Sequence, residues 1–208
     1  MPASKRHPET SLTPRRAATR DRLIDAAHEV FAERGFHGAS VEDLCERAGF
    51  TRGAFYSNFS SKDDLVLEIS QRYSERLLAG VAQVAARDDL TPAEVVQAVL
   101  TAWTSDRRER RLWWLLQTEF TLHAVRDSAA GRSWAKQQAG VRTSLARLVE
   151  ETAARRGLTL PVSADDFARA AMALAAAGTG QHLLEPRSQP DGALAARVLR
   201  VLLGAQAG

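Results

Sequence analysis

The 208-residue chain is short of several things. One cysteine, Cys45, excludes an internal disulfide and suits a reducing compartment. No apolar run approaches the roughly 18 residues of a membrane span, and the N-terminus lacks the apolar core of a secretory signal. These absences lead us to expect a cytoplasmic protein. Strand-like alternation is missing, so periodicity predicts helix nearly throughout. Five histidines are scattered without metal-ligand spacing, which predicts no metal site. A nucleophile–base pair and a glycine-rich phosphate loop are also missing, so we expect no enzyme, no catalytic residue and no cofactor.

What is present is basic and apolar in the usual globular proportions. Hydrophobic residues make up 45% and charged residues 25%, with a formal net charge of +3. Lysine is scarce: Lys5, Lys62 and Lys136 are the three, and the other basic residues are arginine. Residues 1–22 hold six basic residues against Glu9 and Asp21, a local excess compatible with either a nucleic acid or a solvated tail.

Punctuation divides the chain. Residues 1–12 read as a disordered basic arm, and Thr13-Pro14 as a helix start. An apolar stripe through Leu23, Ile24, Ala27, Val30 and Phe31 ends at Gly35. Ser40 and Asp43 have capping-box spacing, Gly49 reads as a left-handed C-cap, and Thr51 opens another short helix. A long helix follows over 62–86, and Thr91-Pro92-Ala93-Glu94 is a second capping box. Further helices are predicted over 92–104, 106–128, 131–156, 164–184 and 191–203. The expected fold is all-α, of about nine helices. A helix-turn-helix domain would occupy 13–60, and a connecting helix with a bundle 61–208.

Two short helices, Ser40–Arg47 and Thr51–Ser57, separated by Ala48-Gly49-Phe50, have helix-turn-helix form. Arg52 and Lys62 each fall in the first turn of a helix, where the dipole disfavours a cation. An external polyanion such as DNA phosphate would relieve both. Gly53 weakens a short helix, which is easier to explain if a backbone must approach something closely. Thr51, Arg52, Tyr56 and Asn58 supply donors and acceptors suited to base edges. Each also has a plainer reading: Ser40 as an N-cap only, Tyr56 as packing, Cys45 as a small core residue.

The stretch Thr19–Tyr73, above all Ala39 to Leu65 with Gly53-Ala54-Phe55-Tyr56-Ser57-Asn58-Phe59 and then Lys62-Asp63-Asp64-Leu65, resembles the TetR family of bacterial transcriptional regulators. The resemblance implies DNA-binding roles for Ser40, Thr51, Arg52, Gly53, Tyr56, Asn58 and Lys62, with Lys62 on phosphate. It departs from the family at Asn58, where many members carry histidine. It further implies a repressor, a homodimer on a palindromic double-stranded operator, with half-sites about 34–36 Å or a multiple apart.

All four tryptophans, Trp103, Trp113, Trp114 and Trp134, lie within a 32-residue stretch that also holds Gln117, Phe120 and His123. Trp103, Trp113, Gln117, Phe120, His123 and Trp134 are the expected lining of a pocket for a small, largely apolar or aromatic effector, although helical core explains any one of them. Arg107, Arg108, Arg110 and Arg111 read as a solvated face, or else as a surface for an acidic ligand or a second subunit. Residues 168–180 are nearly all small, and Leu194, Val198, Val201 and Leu202 form a stripe. Helices 164–184 and 191–203 are therefore either inner bundle helices or, by the resemblance, the dimer interface. Other classes consistent with the residues are a helical ligand-binding protein that does not act on DNA and a helical enzyme built on the aromatic cluster.

Overall fold

Side-chain caps decide where most of these helices begin. The computed structural model describes residues 14–104, 106–188 and 190–203, with the side chains of 103 and 104 left aside. The basic arm and the residues beyond 203 lie outside the described residues. Among those described there are nine helices and no strand. They are α1 (Pro14–Gly38), α2 (Val41–Ala48), α3 (Arg52–Tyr56), α4 (Lys62–Ala85), α5 (Pro92–Thr104), α6 (Arg107–Arg126), α7 (Ser128–Arg155), α8 (Ala164–Leu184) and α9 (Ala193–Leu202). The all-α expectation is borne out.

The chain divides into two compact units, one ending at Leu65 and one starting at Val66. In the first, Leu23, Ala27, Val30 and Phe31 of α1 are buried together with Leu44, Cys45, Phe55 and Phe59. Ser40 closes both bonds of its capping box with Asp43. Gly49 ends α2 in the left-handed region (φ 71), where its amide returns to α2 carbonyls, a conformation a side chain would strain. α1 is interrupted at Gly35 (φ 70), which turns its last residues out of register.

In the second unit, the break predicted at Ala129–Gly131 falls instead at Asp127. The Asp127 carboxylate accepts from the amides of Ala129 and Ala130 and starts α7 there. Gly131 lies inside the first turn because a Cβ would stand 2.6 Å from the Ala124 carbonyl oxygen of α6. Gly180 has the same kind of cause: a Cβ would meet the Trp114 ring at 2.6 Å. Trp114 is anchored there by donating from Nε1 to the Ala176 carbonyl at 2.9 Å. Small residues in α8 thus serve packing on one side, with Ala168 and Ala175 buried. Val96, Leu100, Phe167, Ala195, Ala196 and Leu199 join α5, α8 and α9 in one core cluster.

Candidate nucleic-acid interface and ligand cavity

The α2–turn–α3 pair is held against α1 by arginines. Arg22 donates to the Ala48 carbonyl at 2.9 Å, at the C-terminal end of α2. Its guanidinium lies 4.7 Å from the Phe50 ring centre. Arg16 donates to the Ser57 carbonyl at 2.8 Å and Arg20 to the Asn58 carbonyl at 2.6 Å, at the end of α3. Arg20 also covers the Phe59 ring at 4.4 Å. These cations meet the negative ends of two short helices, the favourable sense of the dipole. In the sequence they are part of the basic excess of residues 1–22. The i, i+4 spacing of Arg16 and Arg20 on α1 is the available signal, but nothing in it names the carbonyl partners.

With its C-terminal end fastened, α3 keeps its other face open. Thr51 caps the helix through Ala54 N at 3.2 Å and is exposed. The Arg52 side chain is 60% exposed and Tyr56 is 49% exposed. Arg52 pairs with the Glu42 carboxylate of α2, and its guanidinium lies 5.8 Å from the Tyr56 ring centre. The Tyr56 side chain and then Glu42 raise the Arg52 pKa above its ordinary value, so the residue stays cationic. A Cβ on Gly53 would find only the Thr51 hydroxyl, at 3.7 Å, so packing within the described residues does not demand glycine there.

Two expected contact residues are turned inward. Asn58 is 9% exposed, donating from Nδ2 to the Ala54 carbonyl at 2.8 Å and to the Ser57 hydroxyl at 3.2 Å. Its Oδ1 accepts from Arg16 Nε at 3.4 Å. It closes the end of α3 and offers no free edge for a base. Lys62 is half-buried, with Nζ donating to the carbonyls of Phe36 at 2.6 Å and Ala39 at 2.7 Å and lying 4.4 Å from the Phe36 ring centre. Burial pushes its pKa down. These partners, with Glu42 at Arg52, satisfy both first-turn cations internally, so the dipole argument for a polyanion loses its force. Ser40 is exposed, but its hydroxyl is engaged twice with Asp43. Cys45 is buried and its thiol pKa is raised by burial, as a core residue requires.

In the second unit the expected aromatic pocket separates into parts. Phe120 and Trp134 are buried against each other edge to face, 5.1 Å apart, with His123 beside Phe120 at 5.6 Å. None of these three borders the cavities beside Trp113 and Leu77 described next. Trp113 stacks on Tyr73 at 4.6 Å and, with Gln117, borders a small cavity of about 60 Å³. The Trp103 side chain lies outside the described residues. The more apolar cavity, about 140 Å³, is aliphatic: Leu77 and Val81 of α4, Val99 of α5, Leu145 and Val149 of α7 and Met172 of α8 are among its walls. A pocket-lining leucine and a core leucine have the same sequence pattern, so periodicity could not single these out.

Residues 23–69 match the family model described as bacterial regulatory proteins, tetR family. That segment carries the N-terminal domain of TetR-type regulators, the family its helix-turn-helix motif resembles. Over 64 residues it is 42% identical to the HTH-type transcriptional activator FasR of Mycolicibacterium smegmatis, covering 31% of this chain and 29% of FasR. It is 30% identical over 119 residues to the HTH-type transcriptional repressor AcnR of Corynebacterium diphtheriae, covering 57% of each. The alignments to FasR and to Escherichia coli UidR span only about three-tenths of those relatives. Fold similarity runs further. GusR of Salmonella enterica superposes with a TM-score of 0.72 at 22% identity, over 93% of this chain and 97% of GusR. FadR of Bacillus subtilis, solved with stearoyl-CoA, gives 0.67 at 17% identity over 90% and 99%.

Proposed function

We propose that this chain is a transcriptional regulator that binds double-stranded DNA through α3 and is released from it by a small molecule bound in its second unit. The observation that carries the reading is the open face of α3. Thr51, Arg52 and Tyr56 are exposed on a helix whose opposite side and end are fixed by Arg16, Arg20 and Phe55. Arg52 would read guanine or phosphate, Thr51 and Tyr56 would contact base edges or phosphate, and Gly53 would let the duplex backbone come close. Ser40, at the start of α2, would contact phosphate with its exposed side. Asn58 and Lys62 act as positioning residues: one closes α3, the other ties the first turn of α4 to the end of α1.

A homodimer is part of the proposal. α8 carries an outward stripe of Ala173, Ala177, Gln181 and Leu184, the last 82% exposed, and α9 exposes Val201 at 63%. Small residues there would allow two copies to pack helix pair against helix pair. Two heads then require a palindromic operator. Repression is the proposed direction, although FasR is an activator. The effector would enter the aliphatic cavity. α4 carries Lys62 at one end and Leu77 and Val81 at the other, so a ligand that prefers one setting of α4 biases the heads. A coupling of 1–3 kcal/mol, about 5–150-fold in DNA affinity, is the usual scale.

Selection of bound duplexes from a random pool, followed by affinity measurement with Arg52→Ala, tests this. The reading expects an enriched palindrome and a loss of about tenfold or more on it. Equal binding of wild type and variant to the selected site would refute the role of α3.

A further inference from the structure

Arg110 of α6 is only 4% exposed, though its neighbours Arg107, Arg108 and Arg111 face solvent. Its Nη2 pairs with Asp191 Oδ2 in the turn before α9, and His182 Nε2 of α8 lies 3.9 Å from the same oxygen. Arg110 Nε and Nη1 are buried with no acceptor, and so is His182 Nδ1. Buried donors on a cation are seldom left unmet. Arg110 borders two cavities, one of about 60 Å³ beside Trp113, Gln117 and Thr179, and one of about 200 Å³ beside Tyr73 and Gly80. The two carboxylates on the latter are committed elsewhere: Asp106 caps Glu109 N at 2.8 Å, and Glu109 pairs with Arg76. Both cavities adjoin the aliphatic one, with Leu77 common to all three and Val141 and Met172 shared with the smaller.

Resting on the reading of the second unit as a ligand-binding domain, we propose that its effector is an aliphatic monocarboxylic acid, with its carboxylate at Arg110 and its chain among Leu77, Val81, Val99 and Val149. An acid supplies a second anionic acceptor, for the Nε and Nη1 groups that Asp191 does not engage. The chain supplies what the adjoining walls select, a flexible apolar body with no hydrogen-bonding group. Asp191 retains Nη2, so the ion pair and the turn before α9 persist in the complex.

Isothermal titration of the full chain with octanoate, decanoate and dodecanoate, each against its alcohol and its methyl ester, tests this without DNA. The acid is expected to bind at least about tenfold tighter than the matched alcohol or ester. Arg110→Gln should abolish that preference, lowering acid affinity far more than alcohol affinity. Should Arg110→Gln fail to fold, Asp191→Asn keeps the cation, removes its competing anion and should raise acid affinity with little change for the alcohol. Acid and alcohol binding alike, no binding of either, or an acid preference that survives Arg110→Gln would each overturn the proposal. Unimpaired DNA binding alongside such a result leaves the regulator reading standing, whereas tight acid binding without DNA binding would count against that reading alone.

Discussion

Lys62 separates two accounts of the head. If it is a phosphate clamp, removing it changes DNA binding; if it is an internal tie, removing it changes stability first. Lys62→Met keeps the apolar stem and deletes the ammonium, losing the bonds to the Phe36 and Ala39 carbonyls at 2.6 and 2.7 Å. Hydrogen bonds from a charged donor contribute about 1.5–3 kcal/mol each in mutational series. Here the half-buried ammonium also recovers its desolvation cost, and water can reach part of the site, so a net loss of about 2 kcal/mol is expected. All four tryptophans lie beyond residue 102, so their fluorescence reports the second unit alone. Amide hydrogen exchange over residues 36–44 is the better assay, with protection falling roughly 30-fold for that loss. The dependence of DNA affinity on salt should keep its slope. A slope reduced by about one per head, with exchange unchanged, would restore the phosphate contact and refute the internal tie.

Other perturbations follow from the same geometry. Gly180→Ala and Gly131→Ala should each destabilise by about 1–3 kcal/mol in thermal or denaturant unfolding, because the new methyl meets the Trp114 ring or the Ala124 carbonyl. Gly140→Ala, with nothing within 4 Å of its Cβ, should be neutral or stabilising by up to about 1 kcal/mol. Asn58→Ala should lower head stability by about 1–3 kcal/mol by removing the bonds of its amide to the Ala54 carbonyl, the Ser57 hydroxyl and Arg16 Nε, while the selected DNA sequence stays the same. The Ser40 amide and then its hydroxyl hold the Asp43 carboxyl below its ordinary value of 3.8. The folded pKa being lower, its stabilising contribution is complete above that value and is lost as pH falls through the folded one. NMR titration should find Asp43 below 3.8 in the native chain and shifted upward in Ser40→Ala; an unshifted value would contradict the capping box.

Helix positions were legible wherever a cap wrote them. Ser40, Gly49, Thr51 and Thr91 mark boundaries through side-chain or backbone bonds only a few residues away, and periodicity between them needs no tertiary knowledge. The error at Ala129–Gly131 came from reading a glycine as a breaker. Its cause is a neighbouring helix passing too close for a methyl, and that neighbour belongs to another part of the chain. The same limit explains the site. Exposure of Arg52 and Tyr56 follows from the motif, but Asn58 and Lys62 look equally polar in sequence and differ only in which carbonyls they reach. Arg110 stood in a run of arginines that reads as solvated, and its partner Asp191 is 81 positions away.

The outer face of α3 is the proposed reader of duplex DNA. The most direct test is parallel selection from one random duplex pool with the native chain and with Arg52→Ala/Tyr56→Ala, after circular dichroism has established equal helicity. The native chain should enrich a two-fold symmetric sequence that the double variant does not recover. Enrichment of the same sequence by both proteins, or of none by the native one, would contradict the account.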